Sequence, residues 1–303
     1  MVVVFSETDA FPPTNLNTHE LHAITETARM FGCRIHPIPQ DFNVIGRVEN
    51  ALTYLPTYDS PIPGVWVGYI PSVERYRDLY DGAKAKGIYL LNTPIEHQIA
   101  MEFDRFYPRL GQLTPESTTI TSVDACENIS AQLGFPVFVK GTVKSNKSQG
   151  WNACVAHNET ELVGLVNKLL TRTNHSRGRV IVRKLAKLRY VNKTTDGFPL
   201  GREYRVFVYK NDVLAFGYYW DEQQDAYPLI QSDTQAITAL AIEAARQVQV
   251  PFLAIDVGQL QSGEWIVIEV GDAQFSGLSH VSVLELWSKI KDIRFDQEIP
   301  TTD

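Results

Sequence analysis

The chain opens on an apolar run, Met1 to Phe5, and His19 to Phe31 then sets Leu21, Ile24, Ala28 and Phe31 on a helical stripe ended by Gly32. Gly64 to Ile70 is a second apolar run, Val73 to Lys86 repeats at helical spacing up to Gly87, and Ile88 to Leu91 supplies a further strand. Strands alternating with helices predict an open α/β layer for residues 1–95.

Asn92-Thr93-Pro94 breaks this alternation, and a helix from Ile95 to Leu110 leads into a region of different texture, residues 96–303. There Ile120 and Val123 precede a helical stretch ending at Gly134, and Pro136 to Lys140 is a strand closing on a lysine. A polar stretch runs from Gly141 to Gly150, and a helix is predicted over Glu159 to Leu170. Strands follow at Val180 to Val182, Glu203 to Tyr209 and Val213 to Tyr219, the last two joined by a turn at Lys210-Asn211-Asp212. Tyr190 to Gly201, with Asn192, Thr194, Thr195, Asp196 and Gly197, reads as an exposed loop. Gln235 to Val248 is helical, and Phe252 to Val257 pairs with Glu264 to Val270 around a turn at Gln261-Ser262-Gly263.

Composition narrows the class of function. With 303 residues, 44% hydrophobic and 21% charged, the chain is globular and long enough for about two domains. Its net charge of −7 gives no global basic field, so neither nucleic acid nor a membrane surface is an expected partner. Cys33, Cys126 and Cys154 show no C-x-x-C spacing, which argues against a disulfide framework or zinc cluster and for a reducing compartment. The opening apolar run is too short for a signal peptide and no stretch reaches the length of a membrane span, so the expected location is cytoplasmic.

Carboxylates in apolar strands are the strongest chemical signal. Asp256 sits near the end of one strand of the last hairpin, and Glu269 and Asp272 close the other. An ionised acid in such surroundings needs a cation, and Mg²⁺ takes oxygen ligands of this kind beside phosphate oxygens. The plainer alternative is that these acids cap strand ends and pair with surface Arg or Lys. The second signal is cationic: Lys140, then Lys144, Ser145, Lys147, Ser148 and Gly150 offer ammonium and backbone N–H groups to a polyphosphate, without the order of a Walker motif. Here the alternative is a solvated charged hairpin. Arg183 and Lys184 end another strand, and alternation puts Glu203 and Arg205 on one face of theirs, where a cross-strand ion pair is the alternative. The seven histidines are scattered without a nucleophile partner, and among the aromatics only Trp151 is singled out, as a lid residue.

Taken together these segments resemble an ATP-grasp ligase over most of the chain. Asn92-Thr93-Pro94 with Ala100 to Arg105 resembles the segment leading into that fold, Pro136 to Lys140 with the loop to Gly150 its lysine strand and lid, and Val180 to Leu185 its adenine hinge. Glu203 to Val208 resembles the ribose and phosphate strand, and Asp256 with Glu269-Val270-Gly271-Asp272 the metal pair. The resemblance implies a preceding α/β domain (1–95) followed by a two-subdomain ATP-grasp fold, with lysine strand and lid in 96–180 and hinge and metal pair in 181–303.

It also implies ATP and Mg²⁺. Lys140 would meet the α and β phosphates, Lys184 and the Leu185 backbone adenine, Glu203 the ribose hydroxyls, and Arg205 phosphate or an acyl phosphate. Lys144, Lys147, Arg105 and Arg183 complete the expected nucleotide contacts, and Asp256, Glu269 and Asp272 the metal ligands, with Lys140 and Arg205 as the catalytic pair. Three positions depart from the family pattern: Arg105 replaces a lysine, Arg183 a hinge acid, and Gly271 an asparagine, leaving Asp272 as the expected source of the missing oxygen. The run from Glu269 to Leu278 with the basic hinge is most similar to the ATP-grasp clade named for two arginines and one lysine.

The implied activity is ATP-dependent ligation of a small-molecule or peptide carboxylate to a nucleophile, an amine above all, through an acyl phosphate. A phosphotransferase that stops at the phosphorylated product, or a nucleotide-binding module without catalysis, are the alternatives, the second kept open by Gly271. A homodimer is the assembly expected from the frequency of symmetric pairs.

Overall fold

Val3–Ser6 (β1) is apolar on both faces and needs cover on both. Val3 and Phe5 pack toward Trp66, Tyr76 and Leu79, while Val2 and Val4 pack toward Ala28, Val65 and Val67. The computed structural model, which describes residues 1–8, 16–42, 48–194, 197–220 and 228–295, surrounds β1 with a parallel sheet of order β2-β1-β3-β4. Its other strands are Arg34–Pro37 (β2), Ile62–Val67 (β3) and Ile88–Leu90 (β4). Helices Leu16–Met30 (α1) and Val73–Lys84 (α2) cover it.

The helix expected from Ile95 to Leu110 is two helices, Pro94–Met101 (α3) and Phe103–Leu110 (α4). Thr93 and Glu96 form a reciprocal capping box that starts α3. Glu102 then leaves helical geometry, at φ −109° and ψ 112°, and turns a carboxylate only 1% exposed onto Arg105, Arg177 and Arg179. Burial pushes the Glu102 carboxyl up, but bonds from Arg179, Arg105, Gln98 and Arg177 outweigh it and hold the group at about 2.

A second sheet, antiparallel and of order β5-β8-β6-β7, consists of Ser117–Ile120 (β5), Val137–Gly141 (β6), Val155–Ala156 (β7) and Val180–Lys184 (β8), with helix Glu159–Leu170 (α5) on one face. Val137 and Val139 face that helix, which sends Phe138 and Lys140 to the opposite side. β8 pairs with both β5 and β6, so the division expected at 180/181 would separate it from its sheet; the pairing keeps residues 180–184 with the lysine strand. Tyr190 to Gly201, expected as a loop, contains a hairpin of Tyr190–Lys193 (β9) and Pro199–Gly201 (β10); Thr195 and Asp196 lie outside the described residues.

The third sheet is antiparallel, of order β12-β11-β13-β14: Glu203–Tyr209 (β11), Asp212–Tyr218 (β12), Phe252–Gln259 (β13) and Trp265–Asp272 (β14). Helix Gln231–Val248 (α6) lies on one face, burying Tyr204, Val206, Val208, Leu253, Ile255 and Val257. Each such buried side chain contributes roughly 1.5–3 kcal/mol. Strand alternation therefore commits Glu203, Arg205, Ala254 and Asp256 to the other face. Phe207, Phe252 and Ala254 share a core with Val4 and Val65 of the first sheet and with helix Val283–Ile290 (α7). Among the described residues no helix is long and apolar enough to cross a membrane.

Candidate active site

Two cavities meet above the face of the third sheet that α6 leaves free. The first is a cleft between the second and third sheets, walled by apolar Phe138, Leu185, Phe198 and Ile268, with Lys140 and Glu203 among its polar groups. The second is lined by Arg205, Tyr219, Asp256 and Ser276 and closed on one side by Ile70, which follows β3 of the parallel sheet. Ser145 and Glu269 line both.

Asp256 and Glu269 are direct cross-strand partners, so both carboxylates rise from one face. Immediately after them the register slips, and the bulge brings Ile268 as well as Glu269 to the first cleft. Arg205, opposite Asp256 on the other side of β13, donates from Nε and Nη2 to the two Asp256 oxygens at 2.8 Å each, and from Nη1 to the Gly277 carbonyl at 2.7 Å. Burial opposes the Arg205 charge, yet Asp256 raises its pKa well above the usual value. Lys140, only 4% exposed, donates from Nζ to Glu269. Burial pushes the Glu269 carboxyl up, and Lys140, then Lys147, more than reverse this. The cross-strand ion pair weighed for Arg205 thus exists, with Asp256 as its partner.

Lys147 comes from the polar stretch 141–150 and places its ammonium 5.3 Å from the ring centroids of both Tyr219 and Trp220. Burial works against its charge, but Tyr219, Glu203, Glu269 and Asp256 together raise its pKa. The stretch is anchored at its start: a Cβ on Gly141 would lie 2.3 Å from the His175 carbonyl oxygen, so only glycine fits. Trp151, just beyond it, packs on Phe198 with ring centroids 5.6 Å apart and on Tyr190 at 6.5 Å. Lys144 is exposed and lines the second cavity.

Glu203 is 2% exposed on the floor of the first cleft, and among the described residues its Oε2 has no hydrogen-bond partner. Burial, only partly offset by Lys147, raises its pKa. A buried oxygen of this kind marks a position for a ligand's donors. Lys184 and Leu185 line the same cleft. Arg183 lines it too, but its Nη1 and Nη2 donate to the Ile268 and Val267 carbonyls and to Thr114 Oγ1, so it ties the second sheet to the third. Its burial brings the guanidinium down to about 10.

Two expected site residues stand elsewhere. Asp272 lies on the other face of β14, fully buried, where its Oδ2 meets His97 Nδ1 at 2.8 Å and its Oδ1 accepts from the Gln274 backbone N–H at 3.0 Å. Strand alternation is the reason: Glu269 and Gly271 share a face from which Asp272 is excluded. Arg105 is 43% exposed, pairs with Glu102 and lines neither cavity. Conversely Tyr219, Phe138 and Ile268 line the site, although the sequence does not mark them as binding residues; the aromatic run Tyr218-Tyr219-Trp220 ending a strand is the available signal for Tyr219.

Asp256 and Glu269 fit a divalent cation, since each is a carboxylate that faces a cavity and already holds a positive group. Among the described residues no group of three His, Cys, Asp or Glu side chains is placed to hold a metal, so such an ion would complete its shell from other oxygens.

Comparison with known proteins supports the same architecture. The chain resembles D-cycloserine synthetase DcsG (TM-score 0.62, 11% identity, 96% of this chain and 99% of that one). It also resembles D-alanine–D-alanine ligase from Bacillus anthracis complexed with ATP (TM-score 0.58, 13% identity, 90% and 86%). A third similar structure is the ATP-grasp ligase PsnB complexed with minimal precursor, Mg and ADP (TM-score 0.53, 13% identity, 90% and 89%). No curated protein matches the chain. The model of an ATP-grasp domain family, the third of the clade named for two arginines and one lysine, matches residues 131–290, more than half of the sequence and the segment that holds Lys140, Lys147, Asp256 and Glu269. The chain belongs to the ATP-grasp fold family, in that two-arginine, one-lysine clade.

Proposed function

We propose that this chain is an ATP-dependent carboxylate ligase: the γ-phosphoryl group of ATP passes to a carboxylate, and an amine or related nucleophile then displaces phosphate to form an amide or similar bond. The observation that carries the reading is the meeting of the two cavities at Glu269 and Ser145. An apolar-walled cleft opens there into a polar cavity that holds Arg205. Related folds solved with ATP, and with Mg and ADP, support it.

In this reading Phe138, Leu185 and Ile268 enclose the base, the open Glu203 oxygen accepts from the ribose hydroxyls, and Lys184 flanks the base edge. Lys140 and Lys147 reach the phosphates, with Lys144 at the lid. Asp256 and Glu269 hold Mg²⁺, which when bound supplies the positive charge that lets an anionic nucleophile approach the γ-phosphorus. Lys140 and Arg205 are paired with those acids and present their remaining N–H donors to phosphate and acyl-phosphate oxygens. No side chain need act as a nucleophile; positioning and fixed charge carry the reaction.

Residues 1–95 serve as the preceding domain, walling the acceptor cavity through Ile70, and residues 96–303 as the ATP-grasp unit. A small-molecule or peptide carboxylate, an amine acceptor, a cytoplasmic location and a homodimeric assembly belong to the same reading. The direct test is hydroxylamine trapping with Mg²⁺-ATP and a panel of carboxylates. Hydroxamate formed together with phosphate release supports the acyl phosphate, whereas phosphate release with no hydroxamate from any acid that stimulates it contradicts it.

A further inference from the structure

The cavity-facing row of the third sheet runs Ala254, Asp256, Glu269, Gly271, and its last position carries no side chain. The next oxygen-bearing residue along the chain, Asp272, is buried on the opposite face with His97 and cannot reach the row. The space beside Gly271 is nevertheless filled by a polar atom. A Cβ built on Gly271 would lie 3.0 Å from Ser276 Oγ, and among the described residues no other heavy atom outside its chain neighbours comes within 4 Å of that point. Ser276 lines the same cavity as Asp256 and Glu269. Its hydroxyl proton is directed away, since Oγ donates to the Asp272 carbonyl at 2.9 Å, which leaves the oxygen lone pairs for another partner.

We propose that Ser276 Oγ is the third protein oxygen of the metal site, taking the place that the missing side chain at Gly271 leaves open, either as a ligand or through one bound water. This rests on the Mg²⁺-nucleotide reading above. A hard divalent cation prefers six oxygens, hydroxyls among them, and two carboxylates with nucleotide oxygens leave room for one more protein donor. Hydroxyl and backbone are tied together: the segment 276–278 that carries Ser276 is held by Arg205 on the Gly277 carbonyl and by Glu20 on the Leu278 N–H. The oxygen is therefore positioned before a ligand arrives.

The test is Mn²⁺ titration of the full chain with saturating ADP, followed by electron paramagnetic resonance, for wild type, Ser276→Ala, Gly271→Asn and the double variant, with metal-free ADP affinity measured beside it. Ser276→Ala should weaken Mn²⁺ binding roughly tenfold, with metal-free ADP affinity unchanged. Gly271→Asn alone should not improve binding, because its Cβ meets Ser276 Oγ, whereas the introduced asparagine amide in the double variant should restore most of the loss. Unchanged Mn²⁺ affinity in Ser276→Ala overturns the proposal, and so does a parallel fall in metal-free ADP binding, which marks a structural role. Wild type that binds ADP with no dependence on the metal overturns the underlying reading as well, and is told apart because it appears before any substitution.

Discussion

Arg205 on β11 and Asp256 on β13 are cross-strand neighbours joined by two parallel bonds of 2.8 Å, a fork-on-carboxylate pair at the floor of the second cavity. The pair fixes the plane of the guanidinium, and Tyr219 supports it from one side with its ring centroid 4.8 Å away. A lysine keeps the charge and loses the plane. Arg205→Lys should therefore lower turnover roughly a hundredfold while leaving nucleotide affinity nearly unchanged. Steady-state kinetics beside a binding isotherm checks this, and near-wild-type turnover would remove Arg205 from the reacting end.

Glu203 is expected to cost stability where it gains binding. Its pKa is raised on folding, so its charge destabilises the folded state once pH exceeds the ordinary value of 4.5, and the penalty is absent below that value. Glu203→Gln should melt no lower than wild type at pH 7 and yet bind nucleotide roughly tenfold more weakly, through loss of a charge-assisted bond. Thermal melts and calorimetry decide; a variant that melts lower and binds equally well contradicts the assignment.

Glu102 has the opposite sign. Its folded value of about 2 lies below the ordinary 4.5, so its contribution is complete above pH 4.5 and disappears as pH falls through the folded value. Glu102→Gln should cost about 2 kcal/mol in urea unfolding at pH 7. The gap to wild type should narrow steadily below pH 4.5. A gap independent of pH would assign the effect to packing at the break between α3 and α4.

Trp151, just after the polar stretch 141–150 proposed as the lid, packs on Phe198 and Tyr190 by edge contacts. Such contacts are worth about 1 kcal/mol, so Trp151→Ala should raise the half-saturating nucleotide concentration roughly fivefold with little change in kcat. Trypsin should also cut sooner at Lys144 and Lys147. Unchanged half-saturation would place Trp151 outside the lid's closing contacts.

The parts of this molecule that follow from local periodicity are readable in the sequence: the α/β layer, the lysine strand, and the hairpin whose Asp256 and Glu269 are direct partners. The misplacements trace to contacts between distant segments. The break at Glu102 is driven by Arg177 and Arg179, about 75 residues away in sequence, and no local rule contains them. Arg183 reads as a binding cation because its acceptors, the Val267 and Ile268 carbonyls, are backbone atoms of another sheet. Asp272 departs from expectation for a simpler reason, since alternation from Glu269 already puts it on the wrong face. Tyr190 to Gly201 reads as irregular because its polar residues mask a short hairpin.

Asp256 and Glu269 are proposed to form a site where a nucleotide and Mg²⁺ bind together. Calorimetric titration of the chain with ATP, with and without Mg²⁺, beside Glu269→Gln, tests it most directly. Magnesium-dependent binding in wild type that is lost in the variant is the predicted result. Binding in the variant that retains its full dependence on magnesium, or no binding by wild type at any magnesium concentration, would contradict it.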